Sequence, residues 1–307
     1  MKKGVYQIIN PEGAIRKVDT TDTGKNTYGP VWAAICESML NGRVLEANIK
    51  NYQYKTMNGR PLSSAPTGFI VRIEDEVDGF LPISLNARFR DFNTDYTGEK
   101  IAIMVESFDP NSLDIVLREI RVTDEYFDIE DINTALSLIG QANDNNKYVR
   151  GTIVGEKISY QSQKRAGYFI DINGLETFLP SQDSFFSAYK DIGGLIGHNV
   201  LASVKDICVE KMRIILSVRS TYESLLSDLP KPRLNEKTKG IINLVDSSNI
   251  NILLPHRTLG VIPTRLYPDK NITDWLSITG SLIECVPFRE KVINTKDNDY
   301  QYLVGLC

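Results

Sequence analysis

The chain has 307 residues, of which 42% are hydrophobic and 24% charged, a composition typical of a globular protein with room for two or three domains. The 35 basic and 39 acidic residues give a net charge of -4, which excludes a polycation that binds phosphates through bulk charge alone. No apolar run approaches the roughly 20 residues of a membrane-spanning helix, and no signal-peptide pattern opens the chain. The four cysteines are far apart in the sequence, which suggests a reducing compartment. Two histidines in the whole chain offer little material for a histidine-built metal site. We therefore expect a cytoplasmic, multi-domain protein that uses no cofactor and is not an enzyme.

The N-terminal 30 residues predict a β-hairpin followed by a linker. Two short apolar segments, Val5 to Ile9 and Ala14 to Val18, flank the turn sequence Asn10-Pro11-Glu12-Gly13. The polar stretch from Thr20 to Asn26 is typical of a flexible connection.

Three apolar stripes at helical spacing predict a short helix before each of three later segments. The stripes are Trp32, Ile35, Cys36, Met39 and Leu40; Ile132, Ala135, Leu136 and Ile139; and Tyr222, Leu225, Leu226 and Leu229. For the second helix, Asp131 is the expected N-cap and Gly140 the expected end.

Three sequence signatures recur in the same order along the chain. They are a Gly-x-hydrophobic strand opening at 42, 151 and 240, an apolar pair closed by proline at 82, 180 and 263, and a glycine before an apolar strand at 98, 197 and 280. The prolines are 98 and 83 residues apart, and the later glycines 99 and 83. Matching periods from two independent markers indicate a threefold internal repeat.

Each repeat contains about five short segments that are rich in branched and aromatic residues. Examples are the segments 68–73, 101–105 and 113–117 in the first repeat and 167–172, 200–204 and 212–218 in the second. Five short strands are typical of a small Greek-key barrel. The predicted fold is therefore mainly β, with three tandem five-stranded barrels, each preceded by a short helix. The predicted domains are an N-terminal extension 1–30, repeats at 31–123, 147–221 and 233–307, and helical linkers at 124–146 (acidic) and 222–232.

The ordered motifs resemble the S1-type OB-fold repeat, the RNA-binding repeat of bacterial ribosomal protein S1. The most specific fragments are Val77-Asp78-Gly79-Phe80-Leu81-Pro82-Ile83-Ser84, Thr177-Phe178-Leu179-Pro180-Ser181-Gln182 and the strand from Met212 to Arg219. The resemblance is good over 31–121 and 142–221 and weaker over 233–306. It implies an OB-fold, and binding of single-stranded RNA as the expected function.

RNA-binding members of this family place an aromatic residue, a histidine, an aspartate and an arginine on one barrel face. By this resemblance, repeat 2 has Phe169, Asp206 and Arg213 at these positions, with Pro180 in place of the histidine. Repeats 1 and 3 depart further from the pattern. Repeat 1 has Asp109 at the aspartate position, but Ile70 at the aromatic position, Pro82 at the histidine position and Asp114 at the arginine position. Repeat 3 has Leu253 near the aromatic position and Pro263 at the histidine position.

Charge and aromatic residues favour repeat 2 as the binding surface. Residues 147–297 contain 20 basic and 16 acidic residues, whereas 31–123 contain 10 and 13. Basic residues alternate with tyrosines between the first two strands of both repeats, a pattern that suits single-stranded nucleic acid. These residues are Lys157, Tyr160, Lys164, Arg165 and Tyr168 in repeat 2, and Lys50, Tyr52, Tyr54, Lys55 and Arg60 in repeat 1.

No phosphate-binding loop, dinucleotide fingerprint, zinc-protease motif or nucleophile elbow occurs in the sequence. His198 and His256 are expected to be surface or packing residues. Two hypotheses therefore stand. One is a non-catalytic protein that binds single-stranded RNA in association with the ribosome or transcription. The other is a set of barrels that anchor protein partners in a ribosome, polymerase or virion.

Overall fold

The computed structural model describes residues 5–9, 15–19, 30–57, 60–61, 65–86, 89, 94–109, 114–124, 126–145, 147–159, 161–184, 195–208, 213–246, 248–294 and 299–307. The chain divides into two compact units, Met1–Asn133 and Thr134–Cys307. The first contains one β-barrel and the second contains two.

The N-terminal segment forms the predicted antiparallel hairpin. Strand β1 (Val5–Ile9) pairs with β2 (Ile15–Asp19), with Val5 opposite Asp19 and Ile9 opposite Ile15. The second strand lies one residue further along the chain than the sequence predicts. The predicted linker from Thr20 to Asn26 lies outside the described residues.

Helix α1 (Pro30–Asn41) precedes the first barrel, but the predicted apolar stripe is wrong as its buried face, because only Ile35 of that stripe is buried and Met39 and Leu40 are 41% and 57% exposed. Val31, Ala34 and Ile35 pack in the core of barrel 1. Ser38 fixes the helix further, because its hydroxyl oxygen accepts a hydrogen bond of 2.9 Å from the amide of Val105.

Barrel 1 is a closed five-stranded sheet in the order β3-β6-β7-β9-β8. Its strands are β3 (Leu45–Gln53), β6 (Gly68–Ile73), β7 (Val77–Pro82), β8 (Lys100–Asp109) and β9 (Asp114–Glu119). Two short paired strands, β4 (Thr56–Met57) and β5 (Arg60–Pro61), extend the connection between β3 and β6.

Helix α2 (Ile129–Asp144) precedes the second barrel and is longer than the sequence predicts at both ends. The predicted N-cap, Asp131, is wrong. Asp128 takes this role, since its carboxylate accepts hydrogen bonds from the amides of Glu130 (2.7 Å) and Asp131 (3.4 Å). Gly140 does not end the helix, because buried Ile139 and Ala142 on either side stabilise the helical turn around it.

Barrel 2 is closed in the equivalent order, β10-β11-β12-β14-β13. Its strands are β10 (Tyr148–Ile158), β11 (Arg165–Ile172), β12 (Leu175–Pro180), β13 (Asn199–Cys208) and β14 (Arg213–Ser217). Helix α3 (Val218–Leu226) follows at once, capped by Ser217, whose side chain accepts a hydrogen bond from the amide of Ser220.

Barrel 3 repeats the order once more, β15-β16-β17-β19-β18. Its elements are β15 (Thr238–Val245), β16 (Asn249–Leu254), β17 (Thr258–Pro263), helix α4 (Ile272–Ser277), β18 (Leu282–Asn294) and β19 (Asp299–Leu306). The predicted fold class, three five-stranded OB-like barrels each preceded by a helix, is confirmed.

The repeated glycines close each barrel in the same way. The φ angles of Gly98, Gly197 and Gly280 are 89°, 86° and 74°. Residues with a Cβ atom disfavour this conformation, whereas glycine adopts it readily. In barrel 1, the amide of Gly98 donates to the carbonyl of Ile49 (2.7 Å), and the amide of Ile49 donates to the carbonyl of Glu99 (3.0 Å). The same two bonds join Gly197 and His198 to Ile153, and Gly280 and Ser281 to Ile242. A β-bulge follows the isoleucine in each case, and it bends the first strand so that the sheet can close.

Barrels 2 and 3 are joined by polar contacts, of which those of His198 are buried. His198 is 2% exposed, and its Nε2 lies 3.0 Å from the amide nitrogen of Val245 in barrel 3. The amide of Asn199 donates to Oγ1 of Thr279 at 2.6 Å, and Arg150 donates to Oγ of Ser281 at 2.6 Å. His198 is thus a packing residue at this junction.

Candidate nucleic-acid interface

Two phenylalanines meet on the outer face of barrel 2. Phe169 on β11 lies directly opposite Phe178 on β12, and their ring centroids are 6.1 Å apart with an interplanar angle of 55°. Phe169 is half-buried, whereas Phe178 is 8% exposed. Phe169 therefore offers an accessible ring, and Phe178 forms the floor beside it.

Two cationic side chains lie over the Phe178 ring. The guanidinium carbon of Arg213, on β14, is 4.2 Å from the ring centroid, and Nζ of Lys157, on β10, is 5.9 Å from it. Both distances are typical of cation–π interactions. Arg213 makes no ion pair within the described part of the chain. We call Lys157, Phe169, Phe178 and Arg213 the barrel 2 platform.

Strand alternation explains why these side chains share one face. Successive side chains in a strand point to opposite sides of the sheet. On β14, Ile214 and Leu216 are buried, whereas Arg213 and Ile215 are partly exposed, and Ile215 pairs with Phe178. The outer positions of three neighbouring strands thus converge on the platform.

The same alternation shows that one predicted base-stacking residue is wrong. Tyr168 is 0% exposed, because it precedes Phe169 on β11 and its side chain must point into the barrel. Both rings cannot face outward on one regular strand. Tyr168 is a core residue, and of these two neighbours it is Phe169 that is available for stacking.

The predicted basic residues of the β10–β11 turn differ in their surroundings. Lys164 is exposed at the tip of the turn. Arg165 is paired with Glu156, its side chain is only 14% exposed, and its guanidinium carbon lies 5.4 Å from the Tyr168 centroid. Arg165 therefore braces the hairpin and is not presented to a phosphate. Tyr160 lies outside the described residues.

Asp206 is exposed on β13 and is paired in register with Ile215. It therefore borders the platform, next to the strand that carries Arg213. The match of Asp109 to Asp206 is wrong, because the residue of barrel 1 in this register is Ser107, opposite Val116. Asp109 corresponds to Cys208, since each is paired with the first residue of the last strand.

Barrel 1 has a cleft at the equivalent face. The cavity has a volume of about 590 Å³ and is lined by Gln53, Tyr54, Lys55, Thr67, Ile70, Asp78, Gly79, Phe80, Asp114, Ile115 and Val116. Tyr54 and Lys55, both predicted site residues, are among them. Tyr52 is not among the residues that line the cleft. Its hydroxyl donates to the carbonyl of Thr94 at 2.5 Å, and the centroid of its ring is 5.2 Å from that of Phe69. Tyr52 therefore stabilises the barrel wall and is not placed to stack on a base.

Barrel 3 has no aromatic residue at the two phenylalanine positions. The register places Asn251 and Val261 where barrel 2 has Phe169 and Phe178. Leu253, the residue matched to the aromatic position from the sequence, is 2% exposed and packs with Tyr222 and Leu226 of α3. The match to Leu253 is therefore wrong by two residues.

Phe178 is the functional candidate that sequence reasoning missed. It belongs to the Phe-Leu-Pro signature, which marked the repeat and the resemblance to S1-type repeats but was not assigned a binding role. The signal available in the sequence was the alternation around buried Leu179, which places Phe178 on the outer face.

Within the described residues, no three histidine, cysteine, aspartate or glutamate side chains come together as a metal site. No helix in the described part of the chain has the length and apolar character needed to cross a bilayer.

No protein-family model matches the sequence, and no curated protein matches it. Solved structures similar to the chain include the three that follow. A multidomain protein with nucleic acid binding domains from Streptococcus pneumoniae is 11% identical, with a TM-score of 0.26 over 85% of this chain and 73% of that one. The structure of yeast Ssd1, a pseudonuclease, is 11% identical, with a TM-score of 0.19 over 55% of this chain and 24% of that one.

The third is Drosophila Unr CSD456, which is 12% identical, with a TM-score of 0.17 over 86% of this chain and 97% of that one.

Proposed function

We propose that the chain is a non-catalytic protein that binds single-stranded RNA on the barrel 2 platform. The observation that carries the proposal is the convergence of an accessible ring, Phe169, and a guanidinium group, Arg213, on one outer face. An aromatic ring stacks on an unpaired base, and a neighbouring cation contacts the phosphate that follows it.

The placement of Arg213 supports this role. Its guanidinium group already lies over the Phe178 ring, so little side-chain entropy is lost when it binds a phosphate. Lys157 and Lys164 add positive charge on the adjoining β10–β11 hairpin. The excess of basic residues over 147–297 contributes a long-range attraction that the net charge of the whole chain conceals.

A preference for RNA over DNA is inferred from the resemblance to S1-type repeats. A platform of rings and cations by itself binds either single strand, and the ribose 2′-hydroxyl distinguishes them. The experiment must therefore compare RNA with DNA.

The test uses the full chain and fluorescein-labelled 15-nucleotide RNA, the same sequence as DNA, and an RNA duplex, with anisotropy measured at two salt concentrations. We expect the RNA strand to bind more tightly than the other two. The variant Phe169→Ala should weaken RNA binding by about 5- to 150-fold, the loss of about 1–3 kcal/mol that one stacked base contributes. The logarithm of the affinity falls as the logarithm of the salt concentration rises. The variant Arg213→Ala should make this fall less steep by about 0.7, the value for one phosphate contact on a single strand.

Lys237→Ala provides a control, because it removes one exposed positive charge from barrel 3. We expect it to change RNA affinity far less than Arg213→Ala. Equal RNA affinity of the wild type and the Phe169→Ala/Arg213→Ala double variant would refute the proposal.

A further inference from the structure

Helix α1 is apolar over more of its surface than barrel 1 covers. Its buried positions are Val31, Ala34, Ile35 and Ser38. Successive residues of an α-helix are turned by about 100°, which places Met39, Trp32, Cys36 and Leu40 next to one another beside this buried face. Trp32 and Cys36 are half-buried, whereas Met39 and Leu40 are exposed to solvent. We call these four residues the α1 flank. Polar residues are usual on the solvent-facing side of a packed helix, so the flank marks a surface for a further partner.

The spacing of the flank indicates which kind of element packs on it. Trp32, Cys36 and Met39 are four and then three residues apart, the spacing of the seam through which one helix packs on another. Leu40 widens this seam by one residue. Methionine adapts to different neighbours, because its side chain is unbranched and rotates about three bonds. The flank therefore suits a helix that presents large apolar residues.

Two acidic segments lie beside the end of α1. The amide of Val44, just after the helix, donates to Oδ1 of Asn133 at 2.9 Å, and this contact places the start of α2 here. The amide of Glu74 donates to the carbonyl of Glu46 on β3 at 3.4 Å, and this contact places the β6–β7 turn here as well.

Arg43 lies among the carboxylates of these elements. Its Nη1 is 2.6 Å from Oε2 of Glu37 on α1, and its Nη2 is 3.9 Å from Oε1 of Glu130 on α2. The hydrogen bond to Glu37 raises the pKa of Arg43, and the charges of Glu130 and Glu74 raise it further. The acids that α1, the β6–β7 turn and the start of α2 contribute are Glu37, Glu74, Asp75, Glu76, Glu130 and Asp131.

Acidic charge is in excess even when the bases of the neighbouring strands are counted. These bases pair with two further acids, Asp78 and Glu46. They are Lys50, Arg72 and Lys100. Together with Arg43 they make four bases, against the six acids above and the two that pair with the strands, so the net charge of this surface is -4. The α1 flank is therefore bordered by negative charge.

This surface disfavours a nucleic acid and favours a basic helix. The acidic border repels the phosphates of RNA, because like charges repel. A helix with large apolar residues on one side and lysines or arginines along the edges matches both the flank and its border.

We propose that the α1 flank docks a protein partner through a basic amphipathic helix. The apolar face of that helix packs against Met39 and Leu40, and its lysines or arginines contact Glu130, Asp131 and the β6–β7 turn. This inference goes beyond the proposed RNA binding by barrel 2 and does not depend on it.

The test measures anisotropy of a fluorescein-labelled leucine–lysine peptide of about five helical turns, with its leucines at helical spacing, on titration with the full chain. We expect saturable binding by the wild type that weakens as the salt concentration rises. Met39→Gln/Leu40→Gln should bind at least about tenfold more weakly, because it removes two apolar contacts. Glu130→Lys should bind about two- to fivefold more weakly at low salt, because it reverses one exposed charge of the border.

Matched variants on barrel 3 show whether the flank is the site. Leu259→Gln/Leu266→Gln replaces two exposed leucines, and Asp269→Lys reverses one exposed charge. Both should bind the peptide within about twofold of the wild type, as should Arg213→Ala on the barrel 2 platform. Thermal melting of each variant verifies folding, and Leu40→Gln alone replaces the double variant of the flank if the latter does not fold.

Three outcomes would overturn the proposal. The first is no saturable binding of the peptide by the wild type, or equal binding by the wild type and Met39→Gln/Leu40→Gln. The second is equal binding of a peptide with the same composition whose leucines do not share a helix face, or of one with glutamate in place of lysine. The third is dimerisation, measured by analytical ultracentrifugation, that Met39→Gln/Leu40→Gln abolishes while the peptide does not bind, because this would make a second copy of the chain the occupant of the flank.

Discussion

The ring of Phe178 lies so close to the backbone of Gly167 that a methyl group on Gly167 would be 2.5 Å from Cζ of the ring. The same methyl group would be 2.5 Å from the carbonyl oxygen of Leu179. Glycine is therefore required here for close approach, and it lets the ring contact the backbone of β11 beneath Arg213. The platform depends on this missing side chain as much as on the aromatic rings.

Gly167→Ala should displace Phe178 and disturb the pairing of β11 with β12. We expect a loss of about 1–3 kcal/mol in the free energy of unfolding, the usual cost of overpacking, measured by urea denaturation. Gly140→Ala is the control, because within the described residues no atom beyond its own helical backbone and chain neighbours lies within 4 Å of the added methyl group in α2. It should raise the free energy of unfolding by about 0.5–1 kcal/mol, since alanine favours the helix. Wild-type stability of Gly167→Ala would contradict the close contact.

We expect substitution of Tyr168 to change the stability of the chain, whereas substitution of its neighbour Phe169 changes RNA affinity. Tyr168→Phe keeps the buried ring, so we expect RNA affinity within about twofold of the wild type. Tyr168→Ala removes a fully buried ring and should lower the free energy of unfolding by about 3–5 kcal/mol, as for other large aromatic residues in a core. Anisotropy and urea denaturation measure the two effects. A large loss of RNA affinity in a stable Tyr168→Phe variant would show that the hydroxyl group contacts the ligand.

Lys164 and Arg165 are adjacent, but we predict that only Lys164 takes part in RNA binding. Lys164→Gln should weaken binding about two- to threefold at low salt, with an unchanged melting temperature, because its side chain is exposed. Arg165→Gln leaves Glu156 without its partner in a largely buried position, and it should lower the melting temperature. Melting curves together with anisotropy would separate the two roles. The reverse pattern, with Arg165→Gln weakening binding and not stability, would contradict this assignment.

The junction between barrels 2 and 3 should weaken in mild acid. Burial lowers the pKa of His198 below its usual 6.5, and hydrogen bonds to the carbonyls of Val245 and Leu195 oppose only part of this effect. Because the folded chain prefers the neutral imidazole, the contribution of His198 to the free energy of unfolding is fully present above pH 6.5. It decreases as the pH falls below that value, by at most about 1.4 kcal/mol per pH unit.

Melting temperatures of the full chain between pH 8 and pH 5 measure this dependence. His198→Gln should have a smaller change over the same interval, since glutamine does not titrate. The carboxylates contribute to both proteins, so the difference between the two curves isolates the histidine. Parallel curves for the wild type and His198→Gln would exclude the junction as the origin of the acid sensitivity.

Local sequence signals predicted most of the fold. The glycines at 98, 197 and 280 mark a positive φ that few other residues adopt, so their spacing revealed the three barrels directly. Short segments rich in branched and aromatic residues gave the strands within a few residues, because such side chains favour extended backbone. The ends of α2 were less predictable, since burial of Ile139 and Ala142 outweighs the low helix propensity of Gly140.

Which residues share a surface was harder to predict. Tyr168 and Phe169 have similar chemistry, and only the direction of each side chain relative to the barrel interior separates them. In barrel 3 the turn between β16 and β17 is one residue longer than the Asn173-Gly174 turn of barrel 2. Counting back from the proline marker of each repeat therefore does not lead to the true equivalent of Phe169, which is Asn251. The error at Asp109 came from matching acid to acid, whereas the strand register places Ser107 at that point.

The amino-acid sequence by itself determined the number of barrels, their order and most of their strands, because these depend on periodic apolar residues and on glycines with special backbone conformations. Tertiary structure decided that Arg213 lies over Phe178, that Arg165 is paired with Glu156 and that His198 is buried against barrel 3. Such contacts join strands that are distant in the chain, and they depend on strand register and barrel closure, which no local pattern encodes.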